Sequence, residues 1–231
     1  EPSTQTMMTL SDASLIFILG NDFEPWFNDA YDNVKHEGQT VVVLSDGIQT
    51  LVNEDTDQID PHIWTSIHNL ITIMDKIKTV LIEKDPTHQS TYLANFDKAK
   101  ADFLALDQEY QAVVDARVRD IFVTNHAAFG YLAQDYGLTM FPIRGLEPDA
   151  EPDASTMARI IDLVKLYDIP YILYEDEANA DVAKTIALET GAKTGILRPG
   201  ESLNEAQLKA GEDLLSIMKQ NLTWLKKALQ E

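Results

Sequence analysis

The spacing of apolar residues changes character several times along this chain. Ala13 to Leu19 and Thr40 to Leu44 are short, mainly apolar runs, closed by Gly20-Asn21-Asp22 and Ser45-Asp46-Gly47. Runs this short, bounded by turn formers, predict strands, the first of them buried. Between them Trp26, Phe27, Ala30, Tyr31 and Val34 recur at helical intervals, which predicts a helix over Glu24 to Lys35. Strand and helix in alternation argue for a parallel α/β lobe.

Two longer helices follow. Trp64, Ile67, Ile71, Met74, Ile77 and Leu81 return every three or four positions, and Asp85-Pro86 then resets the chain with a capping residue and a first-turn proline. Tyr92, Phe96, Ala99, Phe103, Leu106, Tyr110 and Val113 continue the pattern, with no Gly or Pro from Thr87 to Val118. Roughly thirty helical residues would span about 45 Å, more than one small lobe requires. The seam could serve a coiled-coil partner, but its aromatic content favours packing within the chain, as a rigid strut between lobes.

Beyond the strut the α/β pattern restarts. Predicted strands are Asp120 to Thr124, Thr139 to Ile143, Pro170 to Tyr174 and Ala192 to Leu197. Predicted helices cover His126 to Tyr136, Ala154 to Tyr167, Asn179 to Thr190 and, as one long final element, Asn204 to Leu229. The expected fold is α/β: two lobes with mainly parallel sheets, joined by a long rigid helix. The lobes are 1–85 and 118–231, with the linking helix at 86–117. There is no internal repeat and no low-complexity segment.

Charge and composition narrow the chemistry. With 38 acidic residues against 18 basic ones, the net charge of −20 disfavours nucleic acid and anionic membrane surfaces as partners. Cysteine is absent, which removes thiol catalysis, disulfides and thiolate metal sites, so a metal would need His and carboxylate ligands. No apolar run approaches the ~20 residues of a membrane span, and no signal peptide is evident. The opening Glu1-Pro2-Ser3-Thr4 lacks a starting Met and points to a processed or truncated product.

Two histidines stand out, His62 in Ile59-Asp60-Pro61-His62-Ile63-Trp64 and His126 in Thr124-Asn125-His126-Ala127. Both fall where a predicted loop becomes a helix, in surroundings that need no imidazole for packing. Ligands in open α/β sheets gather beyond the carboxyl ends of the strands. In the second lobe those ends carry Asn125-His126, Arg144, Glu175-Asp176 and Arg198 to Glu201. A histidine opening a helix would be kept neutral by the dipole, as a metal requires. His36, His68 and His88 read as a solvated cap, an unpaired helix position and an exposed first-turn residue. No Walker loop, GxGxxG, Gly-x-Ser-x-Gly elbow or HExxH helix occurs.

Several of these segments resemble the metal receptors of bacterial ABC importers, the solute-binding family specific for zinc or manganese. They are Glu1-Pro2-Ser3, Gly20-Asn21-Asp22-Phe23-Glu24-Pro25-Trp26-Phe27, Asp60-Pro61-His62-Ile63-Trp64 and Thr124-Asn125-His126-Ala127-Ala128-Phe129-Gly130-Tyr131. The likeness continues through Gly145 to Pro152, Glu189 to Thr194 and Lys209 to Asp213, in the family's order. It implies two lobes on a rigid helix with a metal in the cleft. His62 would be the ligand of the first lobe and His126 that of the second. Leu197-Arg198-Pro199-Gly200-Glu201-Ser202-Leu203 looks like the family's Leu-Asn-Pro-x-Glu-Gly-Leu stretch and makes Glu201 the acidic ligand, with Glu175 as its rival.

The family's manganese members carry Glu where His126 stands, so the resemblance implies zinc. It also places a further histidine three residues before Glu1, in a His-x-x-Glu-Pro-Ser motif, together with an opening strand and a lipid anchor. Many zinc receptors have a His-rich tract before the Asp-Pro-His motif; here Glu54, Asp55 and Asp57 occupy it. The function so implied is extracytoplasmic capture of Zn2+ by a monomer that delivers it to an ABC permease, with no catalytic residue. The alternatives are a metal-binding surface adhesin and, with three ligands and an open position, a zinc hydrolase.

Overall fold

A computed structural model describes residues 2–21, 23–53, 57–146, 152–175 and 180–231. Glu1, Asp22, Glu54, Asp55, Asp176, Asn179 and the stretch 147–151, all used in the sequence reading, lie outside them. In the first lobe, helix α1 (Thr4–Asp12) precedes strand β1 (Leu15–Ile18), helix α2 (Phe27–Asp32) and strand β2 (Thr40–Val43). The strands pair in parallel, Leu15 opposite Thr40 and Ile18 opposite Val43.

Helix α1 was not expected from the apolar spacing. Local capping makes it: Ser3 Oγ accepts from Thr6 N at its start. At its end the Gln39 amide donates to the carbonyls of Leu10 and Ala13. Helix α2 is shorter than the predicted 24–35. The Glu24 carboxylate accepts the backbone N–H groups of Leu19 and Gly20 instead of joining a helical turn.

Both long helices form, α3 (Ile67–Lys84) and α4 (Gln89–Asp115), and they pack against each other as a hairpin. The 27 residues of α4 span about 40 Å. At the hairpin tip Asp85 accepts from Thr87, His88 and Tyr92, which holds its carboxyl down to a pKa of about 2. The first sheet is tied to the hairpin by Lys76, whose Nζ donates to the carbonyls of Val43 (3.0 Å) and Asp46 (2.5 Å) just past β2.

The second lobe contains strands β3 (Ile121–Thr124), β4 (Thr139–Pro142), β5 (Tyr171–Tyr174) and β6 (Lys193–Ile196). They form one parallel sheet in the order β4-β3-β5-β6. Helices α5 (Gly130–Asp135), α6 (Ala154–Leu166) and α7 (Asp181–Thr190) provide the crossovers that parallel pairing requires. Side chains alternate between two cores. Phe122 and Leu173 face α4 and the last helix, whereas Val123 and Ile172 face Ile160, Val164, Ala183 and Ile186 of α6 and α7.

The predicted single helix over 204–229 is two. Helix α8 (Glu205–Lys209) ends before Gly211, whose φ of +75° takes the chain out of the right-handed region. Asp213 then caps helix α9 (Leu214–Gln230) through a reciprocal bond with Ser216. Among the described residues no helix is long and apolar enough to cross a membrane.

Strand β6 leans on α9 through a glycine. A Cβ on Gly195 would lie 2.6 Å from the Trp224 ring and 2.9 Å from Leu173 Cδ2. Gly195→Ala should therefore overpack this interface and destabilise the protein by about 1–3 kcal/mol, read from denaturant unfolding. An unchanged midpoint would show that Trp224 moves aside freely.

Candidate metal centre

His62 sits at the start of a 310 turn, Ile63–Thr65, and is only 3% exposed. Its ring is fixed by its own neighbour. Asp60 Oδ1 accepts from the His62 backbone N–H (2.9 Å) and from Nδ1–H (2.7 Å). That assigns the proton to Nδ1 and leaves Nε2 facing the cleft, the arrangement that orients a metal-binding imidazole. Asp60 is itself held: Tyr131 donates to its carbonyl at 2.8 Å and accepts from Leu51 N at 3.0 Å. Gly130 permits this approach, since a Cβ there would stand 2.8 Å from Asp60 Oδ2.

His126 lies just past the end of β3 and is fully buried. It does not open a helix as expected, because α5 begins only at Gly130. The intervening residues turn back: Ala127 N donates to Gly145 O, and Thr124 Oγ1 donates to the His126 carbonyl. No helix N-terminus therefore faces this ring. Glu175 orients the ring instead: Nδ1 bonds to Glu175 Oε1, and Nε2 is left to face His62.

Glu201 comes from the irregular segment between β6 and α8, and its side chain is 33% exposed. Its Oε1 is 3.3 Å from His62 Nε2, which in turn is 3.4 Å from His126 Nε2. One donor atom from each of the three residues lies within 4.8 Å of the others. A tetrahedron with bonds of about 2.0–2.1 Å has edges of about 3.3–3.4 Å, so the two measured separations match a zinc-sized site.

The electrostatics fit the same use. Burial works against a charged His62, but the bonds to Asp60 and Glu201 and their charges outweigh it, raising the imidazole to about 9. Glu201 shifts the opposite way: its bond to His62 holds the carboxyl below the ordinary range, against partial burial. Metal-free, His62 is thus a cation between two carboxylates. A divalent ion can replace that proton and bring two positive charges to face the two carboxylates.

Glu175, the rival acidic candidate, is brought to the site but to the far nitrogen of His126, away from the point where the three donor atoms meet. Asp60 was missed as a partner of His62, although its place two residues earlier was a usable signal. The remaining candidates are elsewhere. Arg144 donates to Asn125 Oδ1, and Arg198 reaches Glu212 and Gln220. His36 bridges the carbonyls of Ser11 and Glu37, His68 lies 3.3 Å from Asp135, and His88 pairs with Asp85. A cavity of about 490 Å³ leads to the centre past Phe23, Pro25, Asp57 and Ile59.

Comparison with known proteins supplies the family. The sequence profile of the ZnuA family, described as "Zinc-uptake complex component A periplasmic", matches residues 1–228. The chain belongs to this family. Zinc-binding protein AdcA of Streptococcus pyogenes serotype M3 is 34% identical over 249 residues, covering 98% of this chain and 48% of AdcA. The chain thus spans about half the length of that relative. The high-affinity zinc uptake system protein ZnuA of Bacillus subtilis is 31% identical over 242 residues, covering 99% of this chain and 76% of that protein. The crystal structure of the Zn(II)-bound ZnuA-like domain of Streptococcus pneumoniae AdcA superposes with a TM-score of 0.86 at 33% identity. It covers 100% of this chain and 85% of that one, and the α/β fold with parallel sheets and a long helix is shared.

Proposed function

We propose that this chain is the zinc-capturing receptor of an ABC importer. It binds Zn2+ through His62 Nε2, His126 Nε2 and a Glu201 oxygen, and delivers the ion to the membrane permease. The observation that carries the reading is the convergence of these three donors within 4.8 Å. They come from both sides of a cleft, His62 from the lobe at 1–85 and the other two from the lobe at 118–231, with 86–117 as the strut. The family's zinc-uptake description and the Zn(II)-bound neighbour support the choice of ion.

The donor set points the same way. Two imidazoles and one carboxylate suit zinc better than manganese, which prefers oxygen ligands. Water or another donor would complete the tetrahedron. The receptor works as a monomer outside the cytoplasm, and its charge of −20 draws divalent cations toward the surface. Nothing is transformed, so no residue here serves as acid, base or nucleophile.

A competition titration against a chromophoric chelator, with zinc and then manganese, tests the proposal. One zinc per chain, held at least about a hundredfold more tightly than manganese, is expected. Equal affinity for the two ions would overturn the assignment of zinc, and no binding of either would overturn the receptor reading.

A further inference from the structure

Of the three proposed ligands, Glu201 is the one that its own surroundings do not immobilise. His62 and His126 are rings packed in the core, whereas the Glu201 side chain is a third exposed on a segment with no regular structure. Something else must hold its carboxylate 3.3 Å from His62. The residues before it show what does.

Leu197 N donates to Tyr174 O and extends the sheet by one residue. Arg198 is then gripped on both sides by one buried side chain of α9: Asn221 Oδ1 accepts its N–H (2.9 Å) and Asn221 Nδ2 donates to its carbonyl (2.7 Å). The next carbonyl, Pro199, accepts from Trp64 Nε1 at 2.9 Å. Gly200 follows with φ +82°, its Cβ direction closed by Leu214 at 2.8 Å. Only after these three anchored residues does Glu201 appear.

Trp64 differs from the other anchors because it belongs to the turn that carries His62. We propose that Trp64 is a positioning residue for Glu201: its indole N–H, bonded to the Pro199 carbonyl, sets the spacing between the carboxylate and the His62 ring. This rests on the reading of His62, His126 and Glu201 as zinc ligands. The indole cannot swing away. It is 8% exposed, its ring centre is 5.3 Å from that of His62, and Phe23 meets it edge-on at 5.1 Å. His62, Trp64, Pro199 and Glu201 therefore form a closed circuit across the cleft, joined by one hydrogen bond between residues 135 positions apart. An indole that merely satisfied its own N–H in the core would contribute to folding and leave the ligand spacing unaffected.

The test is a double-mutant cycle on the full chain with Trp64→Phe, Glu201→Gln and both together. Zinc release into excess chelator and the d–d absorption of the cobalt(II)-loaded protein are the readouts. Removing an outer partner that orients a ligand costs about 10–100-fold in metal affinity. Trp64→Phe should accelerate zinc release by that factor and shift the cobalt spectrum. With Glu201→Gln already in place it should add less than about threefold, because contributions through one residue are not additive.

Equal losses with and without Glu201, or a release rate within twofold of the parent, would overturn the inference. If Trp64→Phe does not fold, benzothienylalanine at position 64 keeps the shape of the ring and removes only the donor, with the same outcomes expected. Failure of the parent chain to bind zinc, or no weakening by Glu201→Gln, would instead overturn the ligand assignment.

Discussion

Zinc affinity in His126→Ala is expected to fall by about 10²–10³-fold, measured by competition with a chelator of known strength. Structural zinc sites with four ligands bind with about 10–16 kcal/mol, or roughly 2.5–4 kcal/mol per ligand. At 1.4 kcal/mol for each factor of ten, that share gives the stated range. Relief of strain does not reduce the effect, because His126 is fully buried and its Nε2 points at His62 rather than at solvent. The substitution also leaves Glu175 without its imidazole partner. A loss below threefold would show that the ion is held elsewhere. Glu201→Gln should cost less, since a partly exposed carboxylate can be replaced by water more readily than a buried ring.

Tyr110→Ala should have the largest effect on stability, a loss of about 3–5 kcal/mol in denaturant unfolding of the metal-free protein. The side chain is 1% exposed at the centre of the core that joins α4 to the second lobe. Its ring stacks on Tyr136 of the α5 end with centroids 5.3 Å apart, and its hydroxyl donates to the Met218 carbonyl of α9 at 2.8 Å. Burial keeps that hydroxyl protonated by pushing its pKa far upward. Three elements thus lose contact together when the ring is removed. Tyr110→Phe keeps the stacking and should cost only about 1 kcal/mol, the net value of one hydrogen bond. If both variants lost the same amount, the hydroxyl rather than the ring would be the dominant contact. Zinc affinity of folded Tyr110→Phe should match the parent, because Tyr110 touches none of the three candidate ligands.

Most of the fold could be read locally. The apolar run Thr40 to Leu44 predicts a strand, and β2 forms at Thr40–Val43, although its residues are only partly buried. The 4-3 seam from Tyr92 to Val113 likewise predicts a helix, and α4 runs through it without a break. The departures occur where a side chain bonds to a distant backbone or a cap overrides spacing. Glu24 leaves a predicted helix to bind Leu19 and Gly20, and Asp213 starts a new helix inside a pattern that looked continuous.

The chemistry divides in the same way. Sequence alone determined that a metal here must be held by imidazole and carboxylate, and that His62 and His126 were the imidazoles to examine. Those conclusions follow from residue types and from their place where a predicted loop gives way to a helix, which are local properties. The resemblance already favoured Glu201 over Glu175, but how each carboxylate meets the rings is visible only in the tertiary structure. Glu175 follows β5 directly and Glu201 lies in the loop beyond β6; in the fold one meets His126 Nδ1 and the other approaches His62 Nε2. That arrangement depends on contacts between residues 49 to 139 positions apart in sequence, which no local pattern encodes.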